Sequence, residues 1–379
     1  MGKWFLCKLK PLESYFFGGE HIFDLAGEEK SYYIKSERMP TQSTLLGMLR
    51  FLVLSKAGLL NDTAAPDDPR SFRDAQKKLI GENGFIIDGP MDSNADYGEI
   101  LALSPAFLMD ADRHRWIRTP FNHIKHKKSY TPFTMKKGPL TDIGCSPLLP
   151  KEYREKEGLS DSFLDIDSFE HPVRECGAVG GKDNNNSGRR KLPLFSFEEH
   201  TRIYRHSDEE GYFKKSYISL DPEFSFSFYC EMRTRDALPE KETVYLGQEK
   251  SAFFFSCEEM NDSTDPVQSL EKKIGELNGG PHGDVYYAAS DMYLSNGINK
   301  QGMLFSIVET KPFRTLTQNP SGGSDFRNSR IRSDEYQLVQ AGSVFYLEKG
   351  SAGGLLSEHR LEGMQQAGFN YLFPLGGKV

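Results

Sequence analysis

Pro40-Thr41-Gln42-Ser43-Thr44-Leu45-Leu46-Gly47-Met48-Leu49-Arg50 reads as the opening of an amphipathic helix, and the rest of the chain is best understood outward from it. Leu45, Met48, Leu49, Leu52 and Val53 recur at helical spacing and define a buried face. Ser43 is suited to cap the first free amides, and the helix is expected to run to Ala57 and stop at Gly58. Ser43, Gly47 and Arg50 fall together on a second face. Glycine in mid-helix costs about 1 kcal/mol relative to alanine, so its position one turn before an arginine suggests a large group close to the backbone. A phosphate backbone fits, with Ser43, Thr44, Gly47 and Arg50 as contacts and the Gly18-Gly19 turn just upstream. The alternative is that Gly47 admits a neighbouring strand and Arg50 is a solvated charge.

Around this helix the pattern is mixed. Lys3 to Lys10 alternates, with Phe5, Cys7 and Leu9 on one face, as a half-buried strand does. Residues 61–70 read as a loop, and Ser71 as the cap of a second helix carrying Phe72, Ala75 and Leu79. Phe85-Ile86-Ile87 and Ile100 to Leu103 read as strands. Beyond a Gly-, Asn- and Lys/Arg-rich segment at 177–193, strands dominate: Phe224, Phe226 and Phe228 alternate with serines, and Thr201 to Arg205 with Lys214 to Leu220 form a hairpin. Thr243 to Leu246, Ala252 to Phe255, Val285 to Ala288, Leu304 to Val308 and Val344 to Leu347 add further strands. Asp265-Pro266 starts a helix with a stripe of Val267, Leu270, Ile274 and Leu277. The expected fold class is α+β, with two ferredoxin-like (RRM-like) domains and long inserted loops. They span residues 1–176, with a basic and aromatic insertion at about 110–140, and 194–379, separated by the flexible segment 177–193.

With 379 residues, 27 Phe and 17 Tyr, the chain has material for more than one core. No apolar run is long enough to span a bilayer and the first residues lack a secretory h-region, which implies a cytoplasmic protein with no membrane partner. Five scattered cysteines without a C-x-x-C pair argue against a disulfide framework or zinc site, and no P-loop is present, so neither metal nor cofactor is expected. A net charge of -7 disfavours a free-standing non-specific nucleic-acid binder but not a local site. From Arg113 to Lys137 there are eight Lys or Arg, three His and no acidic residue. Trp116, Phe121, Tyr130 and Phe133 are interleaved with Arg115, Arg118, Lys125, Lys127 and Lys128, a composition suited to single-stranded RNA. The alternative is a solvated basic loop with its aromatics in the core. Gly180, Gly181 and Lys182 form a second candidate phosphate-contacting loop.

Three signatures in order resemble one family. They are Pro11 to Glu20 followed by Pro40 to Arg50; Glu199-His200-Thr201-Arg202-Ile203 through Gly211 with Val244-Tyr245-Leu246-Gly247-Gln248-Glu249; and Gln340-Ala341-Gly342-Ser343-Val344-Phe345-Tyr346-Leu347. Together they are similar to the RAMP-superfamily subunit, third in the naming order, of the Cmr-type (type III-B) CRISPR effector complex. Gln248 stands where the family usually has a second Gly, and Gln340 where it has Pro. The resemblance implies a non-catalytic ribonucleoprotein subunit of antiviral defence that binds the 5′ handle of the crRNA. It also implies contacts with the large polymerase/cyclase-like subunit and with the backbone RAMP subunits. Two other functions are open to the residues. A guide-RNA-processing endoribonuclease would use His21 as its base, and a pure scaffold would make no RNA contact. Charge reversal at Arg50, or at Lys125, Lys127 and Lys128, is expected to separate scaffold from RNA binder. The handle-binding subunit of the type III-A complex is a close variant.

Overall fold

The computed structural model describes residues 2–18, 21–23, 32–60, 69–81, 85, 87, 96–126, 129–132, 134–137, 145–148, 161–177, 193–206, 209–247, 249–260, 265–277, 285–294, 302–318, 330–332, 334–348, 350 and 361–375. Lys3–Pro11 is a central strand, antiparallel to Ser225–Met232 on one side and to Ser251–Glu259 on the other. Its alternation sends Phe5, Cys7 and Leu9 into one core, where they meet Phe226, Phe228, Phe253 and Phe255. Burying such a ring stabilises by roughly 1.5–3 kcal/mol, which outweighs any local preference of these short strands. The resulting nine-stranded sheet continues through Phe107–Met109, Arg115–Arg118, Ser162–Asp165 and Val173–Glu175 at one end and Lys241–Leu246 at the other, with Ile100–Leu103 also on Ser225–Met232.

Helix α1 (Gln42–Lys56) places Leu45, Leu46, Leu49, Leu52 and Val53 against the phenylalanine face. It starts one residue earlier than expected. Thr41, extended at φ -68 and ψ 154, is the N-cap, and its hydroxyl accepts from the Thr44 amide. Ser43 lies inside the first turn, because the extended conformation that a cap requires falls at Thr41, directly after Pro40. Helix α2 (Pro69–Ile80) likewise begins before Ser71, with Pro69 at the first helical position. Phe85 and Ile87 lie outside any strand. Phe85 stacks on Phe369 at 4.7 Å between ring centroids and Ile87 is buried, so these two side chains serve packing, while Ile86 lies outside the described residues.

On the opposite face of the large sheet, Leu6, Phe107 and Tyr229 pack against helix α3 (Pro266–Glu276) and a second antiparallel sheet. That sheet is ordered Met303–Ile307, Val344–Leu347, Val285–Ala288, Leu372–Pro374. Asp265 caps α3 by accepting from the Val267 amide, as the Asp-Pro pair indicated. The hairpin is longer than expected, with strands Phe195–His206 and Glu209–Leu220, and the second of these runs parallel to Tyr32–Lys35. The architecture is α+β with mostly antiparallel sheets and few helices. The large sheet draws strands from both sides of segment 177–193, so the expected boundary does not coincide with a break in strand pairing.

Two of the three signatures meet in space. Gly247 has φ +76, and a Cβ there would lie 2.2 Å from the Phe16 carbonyl oxygen. Lys215 of the hairpin lies over the Phe16 ring and pairs with Glu249. Glycine at this turn is therefore a packing requirement between distant segments.

Candidate nucleic-acid interface

Where the two sheets and the hairpin converge, the surface opens into a cleft of about 690 Å³, within the range of ligand-binding cavities. Pro40 and Gln42, at the start of α1, form part of its wall. The first turn of α1 contains no acidic residue, so the positive end of the helix, capped by the neutral Thr41 hydroxyl, faces this region without a compensating carboxylate of its own. Lys35, Arg38, Arg118 and Lys311 supply cations; Glu37, Asp161, Asp291 and Glu309 supply an equal number of carboxylates. Arg38 pairs with Asp161, Arg118 with Glu309 at 3.3 Å, and Lys311 with Asp291 at 2.7 Å. Two arginines also lie on aromatic rings: Arg38 is 5.5 Å from the Phe197 centroid and Arg118 4.7 Å from that of Phe121. Among the described residues the buried Arg38 Nε and Gln42 Oε1 atoms have no hydrogen-bond partner, the usual mark of a position that water or a ligand completes.

Arg118 is the one basic candidate whose described side chain reaches the cleft, donating to Gln340 Oε1 at 2.6 Å. Ser43 and Thr44 sit beside the cleft wall, their hydroxyls 3.0 and 2.9 Å from that of Thr41. Gly18 is exposed. Gly47 is exposed, and among the described residues a Cβ there would meet nothing within 4 Å, so none of the described strands packs closely on it. Gly47→Ala is accordingly expected to stabilise the chain by about 1 kcal/mol through helix propensity alone, measured as a raised urea midpoint with unchanged slope.

Two basic candidates are engaged within the protein itself. Arg50 caps α2: its Nε donates to the Ile80 carbonyl at 2.9 Å and Nη2 to that of Gly81 at 3.4 Å, and burial pulls its pKa below the ordinary value. Helix spacing put it near Gly47, but the last carbonyls of α2 claim it, so its reversal disturbs the fold and cannot separate scaffold from RNA binder. Arg115 is buried and grips Asp167 with two guanidinium bonds of 2.9 and 2.7 Å. Trp116 and Phe121 are buried too, so this part of the basic stretch builds core. His21 and Lys125 belong to strands whose side chains are outside the described residues. Gly19, Lys127, Lys128, Gly180, Gly181 and Lys182 lie outside the described residues altogether.

Lys35, Arg38, Gln42, Asp161, Asp291 and Lys311 escaped the sequence reading. Arg38 and Gln42 flank Pro40-Thr41 and could have been noticed as neighbours of the helix start. Asp291 and Lys311 carry no local signal.

A polar turn borders the large sheet. His114 Nδ1 lies 2.9 Å from Asp165 and 3.0 Å from the Ser168 hydroxyl. The bond to Asp165 raises the imidazole above its ordinary 6.5, against a smaller opposing effect of burial, with Asp110 and Asp167 adding to the rise. A raised folded-state pKa contributes stability that is complete below 6.5 and disappears as pH rises through the folded value. Thermal stability should fall modestly across that window, and His114→Gln should flatten the slope.

Antiparallel sheets meeting at a charge-balanced cleft beside the start of α1 define an α+β protein. The chain belongs to the Cas_Cmr3 family of CRISPR-associated proteins, whose profile matches residues 7–374. It is thus a type III CRISPR effector subunit of the Cmr, type III-B, kind. Similar solved structures include a chain of the type III-B Cmr-beta complex bound to cognate target RNA and AMPPnP. That chain is 14% identical, with 97% of this chain and 95% of that one covered and a TM-score of 0.48. Another is a chain of the Csm3-Csm4 subcomplex of the type III-A interference complex, 10% identical, covering 98% and 100%, with a TM-score of 0.35. No curated protein matches the chain in sequence. Among the described residues no helix is long and apolar enough to cross a membrane.

Proposed function

We propose that this chain holds the 5′ handle of the crRNA in the cleft without cleaving it, and joins the large polymerase/cyclase-like subunit to the backbone RAMP subunits. The observation that carries this reading is the uncompensated start of α1 opening beside Lys35, Arg38, Arg118 and Lys311. Helix amides and cations suit phosphates, and the exposed Phe197 ring suits an unstacked base. Charge balance in the cleft favours recognition of one defined leader over bulk attraction of nucleic acid, because each cation released to a phosphate leaves a carboxylate to accept from a base edge. Two ferredoxin-like halves with the cleft between them are part of the same reading.

Lys35 is exposed on its strand, so Lys35→Glu leaves the fold unaltered. In the assembled effector it should weaken guide-RNA retention about fivefold, the worth of roughly 1 kcal/mol from one reversed charge near a phosphate. Unchanged crosslinking of the 5′ end to this subunit in that variant would count against the cleft. Metal-independent cutting of guide precursor by the purified chain, lost in His21→Ala, would replace the proposal with an endoribonuclease.

A further inference from the structure

The outer face of the large sheet is only partly covered. Leu6 and Tyr229 disappear beneath α3 and the second sheet, but toward the edge strand Lys241–Leu246 the same face is open. Register places Phe254 between Lys10 and Thr243. In the next row Ala252 pairs with Tyr245, and the Leu12 amide donates to the Ala252 carbonyl at 3.0 Å. In the row beyond Phe254, Ser256 lies between Lys8 and Lys241. Tyr245 is 66% exposed, Leu12 57% and Phe254 38%. Rings at diagonal positions on adjacent strands have Cα atoms about 7–8 Å apart and present their faces side by side.

Lys8, Lys10, Lys241 and Arg113 face Glu13 and Glu258 across this surface, an excess of cations on a chain whose net charge is -7. Glu258 is engaged by Arg113 and, at 3.7 Å, by Lys8, and Glu13 accepts from the Ala252 amide. Among the described residues no carboxylate lies within ion-pair distance of Lys10 or Lys241. Lysine is depleted from the centres of protein interfaces. Exposed rings in a sheet, ringed by lysines and small hydroxyls, instead match what a single strand of RNA requires: faces for its bases and cations for its phosphates.

We propose that this face, Tyr245 and Phe254 with Lys8, Lys10 and Lys241, is a second single-stranded RNA site that holds two or three nucleotides. It is separate from the cleft and independent of the handle reading. The test uses the full chain and a labelled, unstructured octaribonucleotide without handle sequence, followed by fluorescence anisotropy. Tyr245→Thr with Phe254→Thr should weaken binding at least tenfold, as expected when stacking is lost. Lys10→Glu with Lys241→Glu should weaken it and flatten its salt dependence. Guide-RNA retention in the assembled effector should be unaffected by the Tyr245 and Phe254 changes, so failure of this site and failure of the cleft are distinguishable. Equal affinity in the aromatic and lysine variants, with their melting temperatures preserved, overturns the proposal. So does a wild-type chain that does not prefer the single strand over a duplex. Unchanged octamer binding with lost incorporation into the effector overturns it as well, and marks the face as a protein interface.

Discussion

Asp291→Ala is expected to cost about 1–3 kcal/mol of unfolding free energy, because it leaves the largely buried Lys311 ammonium at the cleft wall without its carboxylate. Asp291 Oδ2 holds Lys311 Nζ at 2.7 Å while Oδ1 accepts from the Ala341 amide at 3.1 Å. Burial alone would pull the Lys311 pKa down. Asp291, with Glu37 adding to the field, more than offsets this and holds it above the ordinary 10.5. A raised pKa means that the contribution is intact at neutral pH and disappears only in strong alkali. Urea unfolding at pH 7 measures the loss, and Asp291→Leu with Lys311→Met should recover most of it, since the uncompensated charge goes with its partner. A loss below about 1 kcal/mol would mean that water reaches the pair as freely as a surface one.

Gly342→Ala should lower stability by about 1–3 kcal/mol and disturb the cleft at the same time. Gly342 has φ +100, and a Cβ would lie 2.6 Å from Phe121 Cε1 and 3.2 Å from Arg118 Cδ. Its carbonyl accepts from the Phe121 amide at 2.8 Å and its own amide donates to Ala288 at 2.9 Å, so the backbone has little room to retreat. The added methyl group must displace the ring on which Arg118 lies, and Arg118 with it. Denaturation together with guide-RNA crosslinking in the assembled complex reads both consequences. A variant as stable as the parent, with crosslinking intact, would show that the Phe121 ring yields freely and that Arg118 does not depend on it.

This glycine explains why the signature at Gln340 to Leu347 was readable before its purpose was. The string Gln340-Ala341-Gly342-Ser343-Val344 is local, but what makes it necessary is Phe121, more than two hundred residues away. Gly247 against Phe16 is the same case. Elements with strong periodicity were legible: Phe5, Cys7 and Leu9 on one strand, Leu45 to Val53 on α1, and the Asp265-Pro266 start of α3. Boundaries that rest on one hydrogen bond were less so, and the cap of α1 moved from Ser43 to Thr41. Of the residues that line the cleft, Arg118 could be named beforehand because it belongs to an interpretable basic stretch, whereas Ser43 and Thr44 lie in the first turn of α1 next to the lining residue Gln42. Arg50 and Arg115 were named for the same reason and proved to be engaged by Ile80, Gly81 and Asp167, partners that no spacing reveals.

The chain's own order of residues determined the α+β class, the main helices, the strongest strands and the family, because alternation, capping residues and short motifs are encoded over a few neighbours. Only the tertiary structure decided that Lys3–Pro11 lies between Ser225–Met232 and Ser251–Glu259, which arginines remain at a cleft, and that Lys311 finds Asp291. Strand pairing and charge pairing are settled by burial of apolar area and desolvation across hundreds of residues, and those quantities exist only once the sheets have closed on one another.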